Sequence, residues 1–144
     1  MALRDILFFS EDITYVLKNK QKVREWIFAT IKAEGFQRIG ELNFVFCSDA
    51  YLLEINKEYL NHDTYTDIVT FDSSEKEEEI SGDIFISVER TAENAAKFNV
   101  SETDELHRVI IHGVLHLCGY HDKKGEEKDL MTAKENEYLQ KRAF

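Results

Sequence analysis

The segment His-Gly-Val-Leu-His-Leu-Cys-Gly-Tyr-His-Asp at 112–122 carries the residues of this chain best suited to chemistry. Residues four apart lie on one face of an α-helix, about a turn from each other, so His112 and His116 can each offer a ring nitrogen to one ion. Gly119 can take a positive φ and end that helix, which lets Asp122 fold back toward the same ion. Three protein ligands with one position left for water describe a catalytic zinc site, whereas a structural site is normally closed by four, often thiolates. The expectation is one Zn2+ per chain, held by His112, His116 and Asp122. His121 competes for the third place because imidazole is the commoner zinc ligand. The offset from the glycine favours Asp122, whose carboxylate oxygen is an accepted donor.

The spacing matches the metzincin frame of two histidines, a glycine and a third ligand at fixed offsets. A metalloprotease carries a Glu directly after the first histidine as general base, and here that position is Gly113, so a peptidase mechanism lacks its base. A lone histidine on an apolar helix is usually a satisfied core residue, but two at this spacing followed by glycine and a His-Asp pair are not. His107 lies five residues before His112, about 140° round the helix, and reads as a surface residue or as one supporting a ligand from behind. Cys118 faces away from His116. Asp67 and Asp83 open strands and read either as turn or cap carboxylates or as cleft residues that orient a ligand histidine or a water.

With those residues in place, the 112–122 segment resembles the signature of the bacterial YbeY family of rRNA maturation factors, HGxxHLxGYDH in most members. Ile55-Asn56 through Tyr59, running on to Thr66-Asp67-Ile68-Val69-Thr70-Phe71, resembles the family's N-x-x-Y…T-D-V-L-S-F, and Gly82-Asp83-Ile84-Phe85-Ile86-Ser87 resembles its G-D-I-x-I-S. The resemblance implies a metal-dependent, single-strand-specific endoribonuclease acting in 16S rRNA processing, ribosome quality control and late 30S maturation. Its implied partners are rRNA, the 30S subunit and a ribosomal or GTPase assembly factor. The chain departs from the pattern at His121-Asp122 in place of Asp-His, at Leu60 in place of an Arg, at His62 in place of a Lys and at Tyr65 in place of a Pro. A guanidinium beside a metal binds phosphate bidentately, so Leu60 leaves the transition-state stabiliser unassigned. No catalytic side chain is fixed by the sequence; His121, next to a ligand, is a candidate proton carrier. The alternatives are an assembly or chaperone-like RNA-associated factor with structural zinc and little catalysis, and a metal hydrolase of another substrate.

A net charge of −10 argues against nucleic acid, whose affinity comes largely from Lys and Arg on phosphates. The acid is concentrated in Glu75, Glu77, Glu78 and Glu79 and in Glu126, Glu127, Asp129, Glu135 and Glu137, which leaves basic clusters at Lys18, Lys20, Lys22 and Arg24 and at Lys123 and Lys124. Each cluster is small and reads first as a solvated face. The expected RNA affinity is weak and salt-sensitive. No apolar run is long enough to cross a membrane, and charge interrupts the first residues too early for a signal peptide, so a cytoplasmic protein with reduced Cys47 and Cys118 is expected.

The elements that must position this chemistry can be read coarsely over a single domain, 1–144. Strands are expected at Ile6–Phe9, Leu42–Phe46, Ile68–Phe71 and Asp83–Ser87, the last two as an antiparallel pair. Helices are expected at Gln21–Glu34, with Trp26 on its core stripe, from an Asp49 cap to Tyr59, at Ser87–Phe98, from a Ser101 cap with Asp104 as capping-box partner to Gly119, and at Glu126–Arg142. The fold class is α+β, a small mixed four-stranded sheet with about five helices mainly on one face and a zincin-like metal helix at its centre.

Overall fold

The structure, a computed structural model, describes residues 2–144. After a 3-10 turn at Ala2–Asp5 come β1 (Ile6–Ser10), α1 (Lys20–Ala33), β2 (Arg38–Cys47), α2 (Asp49–Leu60), β3 (Ile68–Asp72), β4 (Glu79–Ser87), α3 (Val88–Phe98), α4 (Glu102–Leu117) and α5 (Gly125–Gln140). The four strands form one mixed sheet in the order β1-β2-β4-β3. β1, β2 and β4 run parallel, and β3 lies antiparallel on the edge beside β4, with Ile68 opposite Ile86 and Asp72 opposite Gly82.

Strand side chains alternate between faces, and that alternation builds the core. Ile6, Leu42, Phe44, Phe46, Ile84 and Ile86 are fully buried on the face that receives α1, α4 and α5. The opposite face carries a smaller cluster of Cys47, Leu52 and Val69 with Tyr51, Phe71 and Phe85, covered by α2. The helices thus cover mainly one face, with α2 as the exception. α4 passes through the middle of the main core and buries Leu106, Val109, Ile110, Ile111, Val114, Leu115 and Leu117. Each such side chain contributes roughly 1.5–3 kcal/mol, which fixes the rotation of the helix and the direction its two histidines face.

Four local expectations are corrected. β2 and β4 are longer than their apolar cores, because parallel pairing continues through polar residues to Arg38 opposite Glu79. Ser48, not Asp49, caps α2 by accepting the Tyr51 N–H, and the Asp49 carboxylate accepts instead from Ser87 and Arg90. Asp104 does not close a capping box; its carboxylate pairs with Arg142 at 3.0 Å. His107 is neither a surface residue nor a support for a ligand. It is buried between Trp26 and Phe144 and accepts from Arg142 at 2.7 Å, since the side of α4 turned from the cleft is itself core.

Candidate metal centre

α4 begins where Ser101 Oγ accepts the Asp104 N–H at 3.0 Å, with Glu102, Asp104 and Glu105 in a first turn that favours negative charge. It ends in a Schellman turn: the Gly119 N–H donates to the His116 carbonyl at 3.0 Å and the Tyr120 N–H to the Leu115 carbonyl at 3.1 Å. Gly119 has φ +107°, a conformation that favours glycine, and it reverses the chain one turn beyond His116. The reversal brings Asp122 back over the helix before α5 starts.

His112 Nε2 and His116 Nε2 lie 3.0 Å apart, and Asp122 Oδ2 lies 3.3 and 3.5 Å from them. Each histidine uses its other nitrogen elsewhere. His116 Nδ1 sits 3.0 Å from the Tyr120 carbonyl oxygen, which only accepts, so Nδ1 carries the proton. His112 Nδ1 sits 2.6 Å from Glu135 Oε2, and a carboxylate imposes the same assignment. Both neutral rings therefore turn an Nε2 lone pair toward each other and toward a carboxylate oxygen. Three acceptors facing one point could together hold a cation. Zinc bonds of about 2.0–2.1 Å at tetrahedral angles set ligand atoms about 3.3 Å apart, so the donor set and its spacing fit one small divalent ion.

The titration pattern follows from the same contacts. Burial works against a charge on His112, but the Glu135 hydrogen bond and charge, with Asp122 and Asp67, outweigh it and raise its pKa. His116 is lowered by burial and by His112.

A cavity of about 260 Å³ opens beside His112 and Asp122, lined also by Asp67, Glu105, Arg108 and Glu135. Arg108 lies one turn before His112; its Nη1 donates to Glu135 Oε1 at 2.7 Å and its Nη2 to Asn136 at 2.7 Å. Burial raises the pKa of Asp67 against the pull of His112, and burial followed by repulsion from Asp67 raises that of Glu105. Beneath the turn, Glu34 accepts from Tyr120 at 2.6 Å and from Tyr138, and pairs with Lys134 at 3.3 Å. Burial opposes the Glu34 charge, yet the two phenols and the ammonium hold its carboxyl below the usual range. This anchor fixes Tyr120, whose carbonyl orients His116.

The structure thus brings His112, His116 and Asp122 together, with ligating atoms within 4.8 Å of one another, and leaves His121 exposed outside the group. Asp67 lines the cleft, whereas Asp83 points to the other sheet face and accepts from Asn43 at 2.9 Å. Cys118 is a free thiol pushed up to about 12 by burial, outside the ligand group, and Cys47 is also free. Glu135 and Arg108 were not singled out by sequence: Glu135 counted among the solvated acids of the last helix, and only its position four residues after Met131, on the buried side of α5, hints otherwise.

In this small α+β domain two histidines on a buried helix and an aspartate on the turn after it form a group that could hold a metal ion. The sequence model of the family described as endoribonuclease YbeY matches residues 7–143. A curated endoribonuclease YbeY from Cytophaga hutchinsonii is 50% identical over the whole of both chains. Another from Flavobacterium johnsoniae is 50% identical over 91% of this chain and 93% of its own. The solution structure of a Thermotoga maritima protein superposes with a TM-score of 0.64 at 28% identity, covering 94% of this chain and 87% of that one. The chain belongs to the endoribonuclease YbeY family.

Proposed function

We propose that this protein cleaves single-stranded RNA internally, with rRNA of the small ribosomal subunit as substrate, and that one zinc ion held by His112, His116 and Asp122 is required. The observation that carries the metal requirement is the convergence of two Nε2 atoms and one carboxylate oxygen with both Nδ1 atoms already committed. Family membership supports RNA as the substrate. When bound, the ion supplies Lewis acidity toward a phosphodiester and makes an attacking water acidic near neutral pH.

The chain's own residues do the remaining work. His112 and His116 hold the ion from one helical face, and Asp122 holds it from the turn. Arg108, part-exposed at the cleft and holding Glu135, keeps donors free for a phosphate oxygen. Asp67, half-buried beside His112 with a raised pKa, is placed to exchange a proton with water in the cleft. Gly113 is packed against Ile68 and Ile84, so the position of a peptidase base faces core rather than substrate. No helix among the described residues is long and apolar enough to cross a membrane, and a ribosomal substrate implies action in the cytoplasm.

The test compares wild type with His116→Ala on one single-stranded RNA, with and without added zinc, across a salt series. Zinc-dependent internal cleavage by the wild type alone, falling steeply with salt, is the expected outcome. A wild type that cuts no RNA while His116→Ala still restores small-subunit maturation in cells would replace this reading with that of an assembly factor. The net charge of −10 is the observation that favours that second reading.

A further inference from the structure

We propose that Glu135 of α5 is the positioning residue of the metal centre: it holds the proton of His112 on Nδ1, aims Nε2 into the cleft, and is itself held by Arg108. The inference rests on His112 being a ligand, and goes beyond it by naming what sets that ligand's tautomer and angle. Three contacts carry it. His112 Nδ1 lies 2.6 Å from Glu135 Oε2, Arg108 Nη1 lies 2.7 Å from Glu135 Oε1, and Arg108 Nη2 lies 2.7 Å from Asn136 Oδ1. The two carboxylate oxygens are thus divided between one histidine and one guanidinium. Glu135 is only 7% exposed, so an uncompensated charge there would be costly, and the Arg108 contact supplies the compensation.

The two histidines differ in how they are held. His116 donates to a main-chain carbonyl, that of Tyr120, which the Schellman turn and the Tyr120–Glu34 hydrogen bond hold in place. His112 has a side-chain partner on another helix, 23 residues away. Free imidazole carries its proton on either nitrogen, and a proton on Nε2 would remove the lone pair that His112 needs for an ion. An outer carboxylate that fixes the tautomer and strengthens the donor typically changes metal affinity by 10–100-fold. Glu135 therefore links the seating of α5 on α4 to the strength of the metal site.

Glu135→Met keeps the volume and helix propensity of the side chain and removes the acceptor, while part-exposed Arg108 can return to water. Glu135→Gln retains a carbonyl oxygen able to accept from Nδ1. Zinc affinity would be measured by chelator competition, with thermal melting of the metal-free proteins alongside, and cobalt(II) absorption used as a probe of coordination. Glu135→Met should weaken zinc by about 10–100-fold and distort the cobalt spectrum, while Glu135→Gln stays much closer to wild type. Zinc affinity unchanged in Glu135→Met would overturn the proposal and leave the metal centre standing. A wild type that binds no zinc would remove both. One measurement needs no variant: the 15N shifts of His112 in the metal-free protein, above its titration, should place the proton on Nδ1, and a proton on Nε2 would overturn the proposal even if Glu135→Met did not fold.

Discussion

Adding one methyl group at Gly113 tests how closely the metal helix is seated on the sheet. In a helix interior Ala is favoured over Gly by about 1 kcal/mol, so propensity alone makes Gly113→Ala stabilising. The structure argues the opposite. A Cβ there would lie 2.9 Å from Ile68 Cδ1 and 3.0 and 3.1 Å from Ile84 Cγ2 and Cδ1. Carbon pairs are comfortable at about 3.5–4.0 Å, so three contacts are short by about half an ångström. Ile68 Cδ1 can swing away, but Ile84 is fully buried and β-branched, with no low-cost second rotamer. Overpacking of this kind costs about 1–3 kcal/mol, so the net expectation is a loss of about 1 kcal/mol, or about 3 °C in Tm. Urea unfolding followed by circular dichroism reads the sign directly. The helix can accommodate the methyl only by lifting off the sheet, which also moves His112, so zinc affinity should fall together with stability. A gain of about 1 kcal/mol with zinc affinity unchanged would refute the close seating, because only propensity would then be acting.

Two further outcomes follow from particular residues. Asp122→Ala should lose tight zinc binding and His121→Ala should keep it, measured as zinc retained after dialysis; the reverse pattern would mean that the third ligand lies one residue earlier. His107 is held down to about 4 by burial and by the Arg142 guanidinium, while the unfolded chain protonates near 6.5. Stability tied to this group is therefore intact above pH 6.5 and lost as pH falls toward about 4, by up to about 3 kcal/mol, and His107→Gln should flatten that part of the urea-stability curve relative to wild type.

The helix that carries the two histidines was legible because each of its signals is local. Ser101 caps it, Gly119 ends it with a positive φ, and two histidines one turn apart share a face whatever surrounds them. The four strands were legible from alternation, and their antiparallel pair from the loop between Phe71 and Gly82. What escaped depends on how helices pack. Periodicity places His107 away from the metal face, but only the enclosure of α4 on nearly every side turns that direction into core. Glu135 lies in a helix with seven Asp, Glu and Lys residues among its sixteen, where any one acid reads as solvated until α5 is laid against α4. The Glu34 anchor joins residues 86 and 104 positions apart, a distance at which sequence spacing carries no geometric information.

The charge of the cleft connects the acidic composition to the proposed chemistry. Asp67, Glu105, Asp122 and Glu135 line it against a single guanidinium, Arg108, so the side chains of the cleft carry an excess of carboxylates where a phosphodiester would approach. Burial, followed for Glu105 by repulsion from Asp67, already pushes Asp67 and Glu105 toward their neutral forms. A dication bound by His112, His116 and Asp122, as proposed, would offset two of the negative charges there. Binding of the ion and binding of the RNA are then coupled, and coupling is reciprocal: whatever factor the ion adds to phosphodiester affinity, the phosphodiester adds to ion affinity.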